Sequence, residues 1–401
     1  MILLGSFLHH EELAEVLGRG LEDRLVPGDA ARLKVILNLN SYAVRLYSDW
    51  FADRLFRNVL GDGVERRHAR TKGELKDLLV TSPHYTNERI DELIARYRRF
   101  PEDYYRETPY EGLIFSTGDP PRYEGSRRIK RIRRISEKCA RRIIDYMLEQ
   151  IRRRADELAI ERASRLGIPK DKLITPPDEM VAEFAHAERR VLKSIRDGLL
   201  VAAMPHFYID DIVGIRILTT PANTPRVDDY LASCTDLSIV DEKRFSGAFN
   251  GRNRVVVWRL PKEELLARPP SEDVCQTLIA RRVGNSSAEI RAIYDEFIRT
   301  DVGHVRFEIL TLDYEQVLES EIGKSMHEDH IRAQRERAEY GGRLAQNVES
   351  LMIYLFAFAQ SVRVNLEQMP IKLRGTYLPD HLASLLRDLD APNAPHLGLT
   401  F

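Results

Sequence analysis

Cysteine is scarce in this sequence. The three that occur, Cys139, Cys234 and Cys275, lie far apart and form no C-x-x-C pair. That spacing argues against a disulfide framework or a cysteine zinc site and fits a reducing compartment. A surplus of one charge is also missing: the formal net charge is −1, so the whole-chain field selects no polyanionic partner. No run is apolar enough for long enough to span a bilayer. The most apolar late stretch, residues 351–362, is too short and reads as a buried helix. The opening residues lack a basic n-region and pass at once into His9-His10-Glu11-Glu12, which is not the pattern of a signal peptide. The expectation is a cytoplasmic protein with no membrane partner. Walker-type, Rossmann-type and G-x-S-x-G motifs are absent as well.

What is present is a soluble balance of 43% hydrophobic and 31% charged residues in a chain of 401, room for roughly two or three domains. Apolar residues at helical spacing (Leu33, Ile36, Leu37, Leu46, Trp50, Phe51, Leu55) predict a helix over residues 30–60. A shorter helix is expected over 87–100 and a long one from Ser126 to about Gly167. Residues 108–125, rich in Pro, Gly and Tyr, read as a loop. Pro169, Pro176 and Pro177 mark the expected domain boundary, and a further helix follows to about Gly198. The pattern then changes to Val- and Ile-rich strands at 212–219, 237–243, 254–260 and 305–311. A short helix starts at Thr224-Pro225, a helical insertion fills 260–303, and a helical stretch runs from 313 to about 367 with a break at Gly341-Gly342. This order predicts an α+β fold. It comprises a mainly helical region (1–177), a small mixed sheet flanked by helices (178–330, with an insertion at about 262–303), and a C-terminal helical cover and tail (331–401).

The stretch Ile209-Asp210-Asp211-Ile212-Val213-Gly214-Ile215-Arg216 carries the most chemistry. Two carboxylates stand at the mouth of an apolar strand and an arginine projects from within it. Such an Asp can hold Mg²⁺ and such an Arg can hold a phosphate.

Three blocks follow one another: Asp211 to Leu218; Asp236 to Arg244 with Asn250-Gly251 leading to Pro261; and Val305-Arg306-Phe307-Glu308-Ile309-Leu310-Thr311 entering a helix. Over residues 185–330 this series resembles the synthetase domain of the RelA/SpoT alarmone pyrophosphokinases. The resemblance implies a sheet of the RelA/SpoT synthetase type, Mg²⁺ as cofactor, ATP as a partner, and transfer of a pyrophosphoryl group from ATP to a nucleotide or RNA hydroxyl. By the same likeness Asp211 is the metal-binding aspartate, Gly214 the slim position of its strand, and Arg216 the strand arginine. Asn250 and Gly251 begin the acceptor loop, and Arg189, Arg190 and Lys193 match the basic helix that holds ATP phosphates. The sequence departs from the pattern at several points. Arg252 stands where the family has its stacking tyrosine, and Arg254-Val255 occupies the place of the loop histidine. Arg306 aligns with the second metal carboxylate, with Glu308 two positions on. Glu308 is thus the expected second catalytic and metal-binding carboxylate, and Asn250 to Arg254 the acceptor lining. These departures equally suit an inactive relative that senses nucleotides or serves as an interaction module.

Plainer readings exist for each residue. Asp210 and Asp211 suit a turn before a strand, Arg216 a structural ion pair, and Asn250-Gly251 a hairpin turn. Residues 127–154 hold 12 Lys or Arg against three acids (Glu137, Asp145, Glu149), which fits an RNA contact, the rim of a nucleotide pocket, or a solvated face paired with acids. His327 and His330 lie three apart on an expected helix with no third metal ligand evident, and His9-His10 reads as surface.

Overall fold

A computed structural model describes residues 1–246, 250–323, 326, 328–329 and 343–366. The chain is α+β, as its patterning predicts. It enters with β1 (Ile2–Leu4), α1 (His10–Leu21), α2 (Asp29–Leu60), β2 (Glu65–Thr71), α3 (Lys72–Thr81) and α4 (Glu88–Arg99). The hairpin β3 (Pro109–Thr117) and β4 (Arg122–Ile129) precedes α5 (Ile132–Arg165), α6 (Pro177–Arg196) and α7 (Leu199–Ala203). Next come β5 (Phe207–Ile209), β6 (Val213–Leu218), α8 (Thr224–Ser233), β7 (Leu237–Phe245) and β8 (Gly251–Arg259). The last described elements are α9 (Lys262–Leu266), α10 (Glu272–Ala280), α11 (Ser287–Thr300), β9 (His304–Leu312), α12 (Tyr314–Ile322) and α13 (Arg343–Gln360).

Seven strands form one sheet in the order β2-β3-β4-β6-β9-β8-β7, and β1 pairs β5 separately. Only β6 and β9 run parallel within the large sheet, their other neighbours being antiparallel. Side chains alternate across such a sheet. Leu113, Phe115, Ile129, Val213, Ile215, Ile217, Val256, Trp258, Val305, Phe307 and Ile309 point to one face and share the main core with α2 and α13. The opposite face is only partly covered. At the end holding Leu218 and Leu312 it packs on α3, α4 and α12 through Leu75, Leu79, Ile94, Tyr314 and Val317. Residues 351–360 are in the helix expected there, and most are buried.

The sheet crosses the boundary expected at Pro177, because β2, β3 and β4 come from the half read as mainly helical. Residues 108–125 are therefore no loop, and the helix expected from Ser126 begins at Ile132. Glycine misled that reading. Gly125 lies where any Cβ would strike the Arg216 carbonyl and the Phe56 ring, and Gly112 lies under the Tyr110 ring. Here Gly serves close packing inside strands rather than a turn. His9 and His10 are not on the surface: His9 Nε2 meets the Phe297 carbonyl at 2.8 Å and His10 Nδ1 the Phe7 carbonyl at 3.0 Å. His327, His330 and the expected break at Gly341-Gly342 lie outside the described residues.

Candidate functional site

The uncovered end of the second face is where the carboxylates gather. In the parallel pair β6 and β9, Gly214 stands opposite Glu308, and across β4 it stands opposite Arg128. A Cβ at Gly214 would have nothing within 4 Å, so the floor beside Glu308 is open. Across β8, Glu308 faces Val255 and Leu310 faces Asn253. Asn253 Nδ2 donates to Glu308 Oε1 at 3.2 Å, while its Oδ1 is buried with no partner.

Asp211 sits just before β6, beside that floor. Lys130, which leaves β4, donates to Asp211 Oδ2 at 2.7 Å and also to its backbone carbonyl. Lys138, two turns into α5, donates to the same carboxylate oxygen. Burial works against the Asp211 charge, but the two ammonium groups outweigh it and hold the carboxyl well below the usual range. Burial pulls Lys130 down to about 7, even though Asp211 beside it acts in the opposite sense. The Glu308 carboxyl is pushed up, first by burial and then by the nearby Asp211 charge. The two carboxylates therefore share one electrostatic neighbourhood. Arg128 stands close enough to act on Lys130.

The oxygen set fits a hard divalent cation. Two carboxylates and an orphaned amide oxygen are the donor types that Mg²⁺ takes, with phosphate or water completing the shell. Among the described residues no group of three or more His, Cys, Asp or Glu is gathered for a metal, so protein alone does not make a closed cage.

Other expected site residues are placed elsewhere. Arg216 turns toward the covered end of the face. Its Nη1 donates to Glu321 Oε1 at 2.7 Å, and Lys72 holds Glu321 Oε2 at 2.6 Å. Arg216 is thus one member of a buried ion cluster that also holds Glu328, 3.4 Å from Lys72. Arg252 and Arg254 project from the opposite face of β8. Arg252 Nη1 reaches both Asp228 oxygens at 3.1 Å, and Arg254 binds Asp228 and, at 3.2 Å, Glu242. They do not line an acceptor site with Asp211. Asn250 and Gly251 open β8 at the β7–β8 hairpin, the Asn250 amide donating to Gln316 Oε1 at 3.0 Å. Gly251 is required there because a Cβ would strike Leu312. Arg189, Arg190 and Lys193 are exposed on α6, whose principal neighbours are α5 and α7.

The basic stretch 127–154 is divided by the fold. Arg127 is fully buried on β4 against Asp49, and Lys130 and Lys138 face Asp211. Arg133 and Arg134 pair with Glu137, Arg141 with Asp145, Arg153 with Glu149, and Arg154 with Glu157. The stretch is thus not one uniform face: part is buried in the fold, and Arg133, Arg141, Arg142, Arg152 and Arg153 are exposed on α5. Arg128, Lys130 and Lys138 lie in the stretch expected at a nucleotide-pocket rim, but are not singled out there as site residues. A signal for them existed in the spacing: two lie at a strand end and the third two helical turns later.

No family model, curated protein or solved structure matches the chain. No helix among the described residues is long and apolar enough to cross a membrane.

Proposed function

We propose that this chain is a divergent RelA/SpoT-like nucleotidyltransferase that takes ATP and passes its pyrophosphoryl group to a nucleotide or RNA hydroxyl. The observation that carries this reading is that Asp211, just before β6, lies near enough to act on Glu308 beside the open floor at Gly214. Lys130 and Lys138 stand against Asp211, and an unpartnered Asn253 oxygen lies beside Glu308. In this proposal Asp211 and Glu308 hold Mg²⁺, and Arg128, Lys130 and Lys138 hold phosphate oxygens in place of Arg189, Arg190 and Lys193. Gly214 keeps the floor low enough for the polyphosphate.

The transfer breaks the bond between the α-phosphate's bridging oxygen and the β-phosphorus and forms a bond from the acceptor oxygen to that phosphorus. AMP leaves with the bonding electron pair, and the acceptor hydroxyl gives up its proton to solvent. A bound Mg²⁺ supplies charge neutralisation of the phosphates. The chain's own part is to align the phosphates with its cations and to exclude competing approaches.

The test is to incubate purified protein with ATP, Mg²⁺ and GDP, GTP, ADP or tRNA, and to quantify AMP by chromatography. AMP release that requires both an acceptor and Asp211 supports the reading. Absence of AMP with every acceptor, or release unchanged in Asp211→Asn, sinks it.

A second reading has its own observation. Arg216, Arg252 and Arg254 are all committed to internal ion pairs, which suits an inactive relative acting as a nucleotide sensor. That reading predicts calorimetric binding of ATP without turnover.

A further inference from the structure

We propose that Arg306 and Tyr208 form the platform on which the acceptor's nucleobase stacks. This rests on the nucleotide-transfer reading and supplies the acceptor side that Arg252 and Arg254, turned to the other face, do not provide.

Arg306 precedes Glu308 by two residues on β9, so both project from the same face, roughly 7 Å apart along the strand. That separation is comparable with the span of a ribose between its base and its 3′-hydroxyl. The guanidinium is a fixed plane. Its carbon lies 4.0 Å from the centre of the Tyr208 ring, and Asp210 grips it twice, at 2.7 Å from Nε and 3.1 Å from Nη2. Its stem is fixed as well. The Arg306 amide donates to the Gly5 carbonyl at 2.7 Å, and Ser6 Oγ donates to the Arg306 carbonyl at 2.7 Å. A Cβ at Gly5 would come within 2.7 Å of Asp210 Oδ1 and 2.9 Å of Arg306 Cβ, so the chain has a glycine where it wraps this unit.

The Arg306 side chain keeps 24% of its surface exposed, which leaves it within reach of a ligand. The strand beside it offers the chemistry a ring requires. Val257 stands opposite Arg306 and Val255 opposite Glu308, giving an apolar strip on the same face. Beyond Val255 stands Asp241, near enough to act on Arg306. Its carboxylate is a ready acceptor for a base N–H. A guanidinium plane over an aromatic ring, with an apolar strip alongside, suits a flat heteroaromatic ring. Adjacent Asp210 and Asp211 thus divide the labour, one fixing the plane and the other serving the phosphates.

The test separates donor from acceptor. The protein is titrated calorimetrically with α,β-methylene-ATP and Mg²⁺, which fills the donor site without turnover, and then with GDP and with ADP. The wild type is expected to bind at least one of the two acceptors. Arg306→Lys, which keeps a cation beside Asp210 and loses the plane, and Tyr208→Leu should each weaken that binding at least tenfold. Donor affinity and thermal midpoint should stay at the wild-type values. Wild-type acceptor affinity in both variants, or no acceptor binding by donor-loaded wild type, would overturn the platform while leaving the donor site standing. Failure of the wild type to bind the donor analogue would overturn the nucleotide reading and the platform with it.

Discussion

Gly214 and Glu308 stand opposite each other across the parallel pair β6 and β9, and the glycine leaves the carboxylate an open approach. A methyl group at this position meets nothing within 4 Å, so Gly214→Ala should change stability by less than about 0.5 kcal/mol. It should nevertheless weaken Mg²⁺–ATP binding by on the order of tenfold, because the methyl occupies ligand space. Gly125→Ala gives the contrast: its Cβ runs into the Arg216 carbonyl and Phe56 and should cost about 1–3 kcal/mol. Urea midpoints together with ATP titrations of the two variants check the pair. Loss of stability in Gly214→Ala would contradict the open floor.

Asp211 joins two lysines of unequal burial, Lys130 at 8% side-chain exposure and Lys138 at 30%. Asp211→Ala leaves buried Lys130 without its counter-charge and facing Lys138, and should cost on the order of 3 kcal/mol. Lys138→Ala leaves the Lys130–Asp211 pair intact and should cost about 1 kcal/mol or less. Denaturant unfolding at neutral pH measures both, and equal losses would show that Lys138 carries as much of the pair as Lys130.

The strands that frame the site were only half legible in the sequence. β6, β8 and β9 are runs of Val, Ile and Phe bounded by breakers, and their alternation is what a half-buried strand produces. β2 gave no such signal: Glu65-Arg-Arg-His-Ala-Arg-Thr71 is an edge strand with only Ala69 buried, so charge hides its period. β3 and β4 were masked by Gly112 and Gly125, which close packing demands. Strand parity alone would turn Asp211, three residues before Gly214, away from Glu308; the bend before β6 brings them near each other, and the destination of Arg216 was no more legible. Glu321, which claims Arg216, lies 105 residues after it, and Lys72, which shares Glu321, lies well before it; only the packing of α3 and α12 brings them together.

That cluster has a defined weak point. Glu321 is 1% exposed, and despite burial Lys72 and Arg216 hold its carboxyl well below the usual range. Glu321→Gln leaves Arg216 without its counter-charge and Lys72 with Glu328 alone, at 3.4 Å, and should cost about 3 kcal/mol. Lys72→Met leaves Glu321 with Arg216 and should cost less, about 1–2 kcal/mol. Thermal unfolding of the two variants tests the order, and a larger loss in Lys72→Met would show that Arg216 does not compensate Glu321.

A pH dependence follows from Lys34, a buried lysine on α2 whose ammonium donates to the carbonyls of Ser361 at 2.6 Å, Arg281 at 3.0 Å and Phe358 at 3.3 Å. It fastens the end of α13 to α2. Burial, with a contribution from Arg281, lowers Lys34 from 10.5 to about 7. Because the folded value is the lower one, the unfolded chain binds more protons between these limits, and stability rises with pH across that window. Between pH 7 and pH 9 the gain from this residue is on the order of 2 kcal/mol. Lys34→Met removes the titration together with three hydrogen bonds, so the variant should be less stable at pH 9 and show a flatter pH profile. Urea unfolding of both proteins at pH 7 and pH 9 isolates the effect, since every other titrating group is common to the two. Parallel profiles would mean that Lys34 keeps its proton throughout and acts only as a fixed donor to α13.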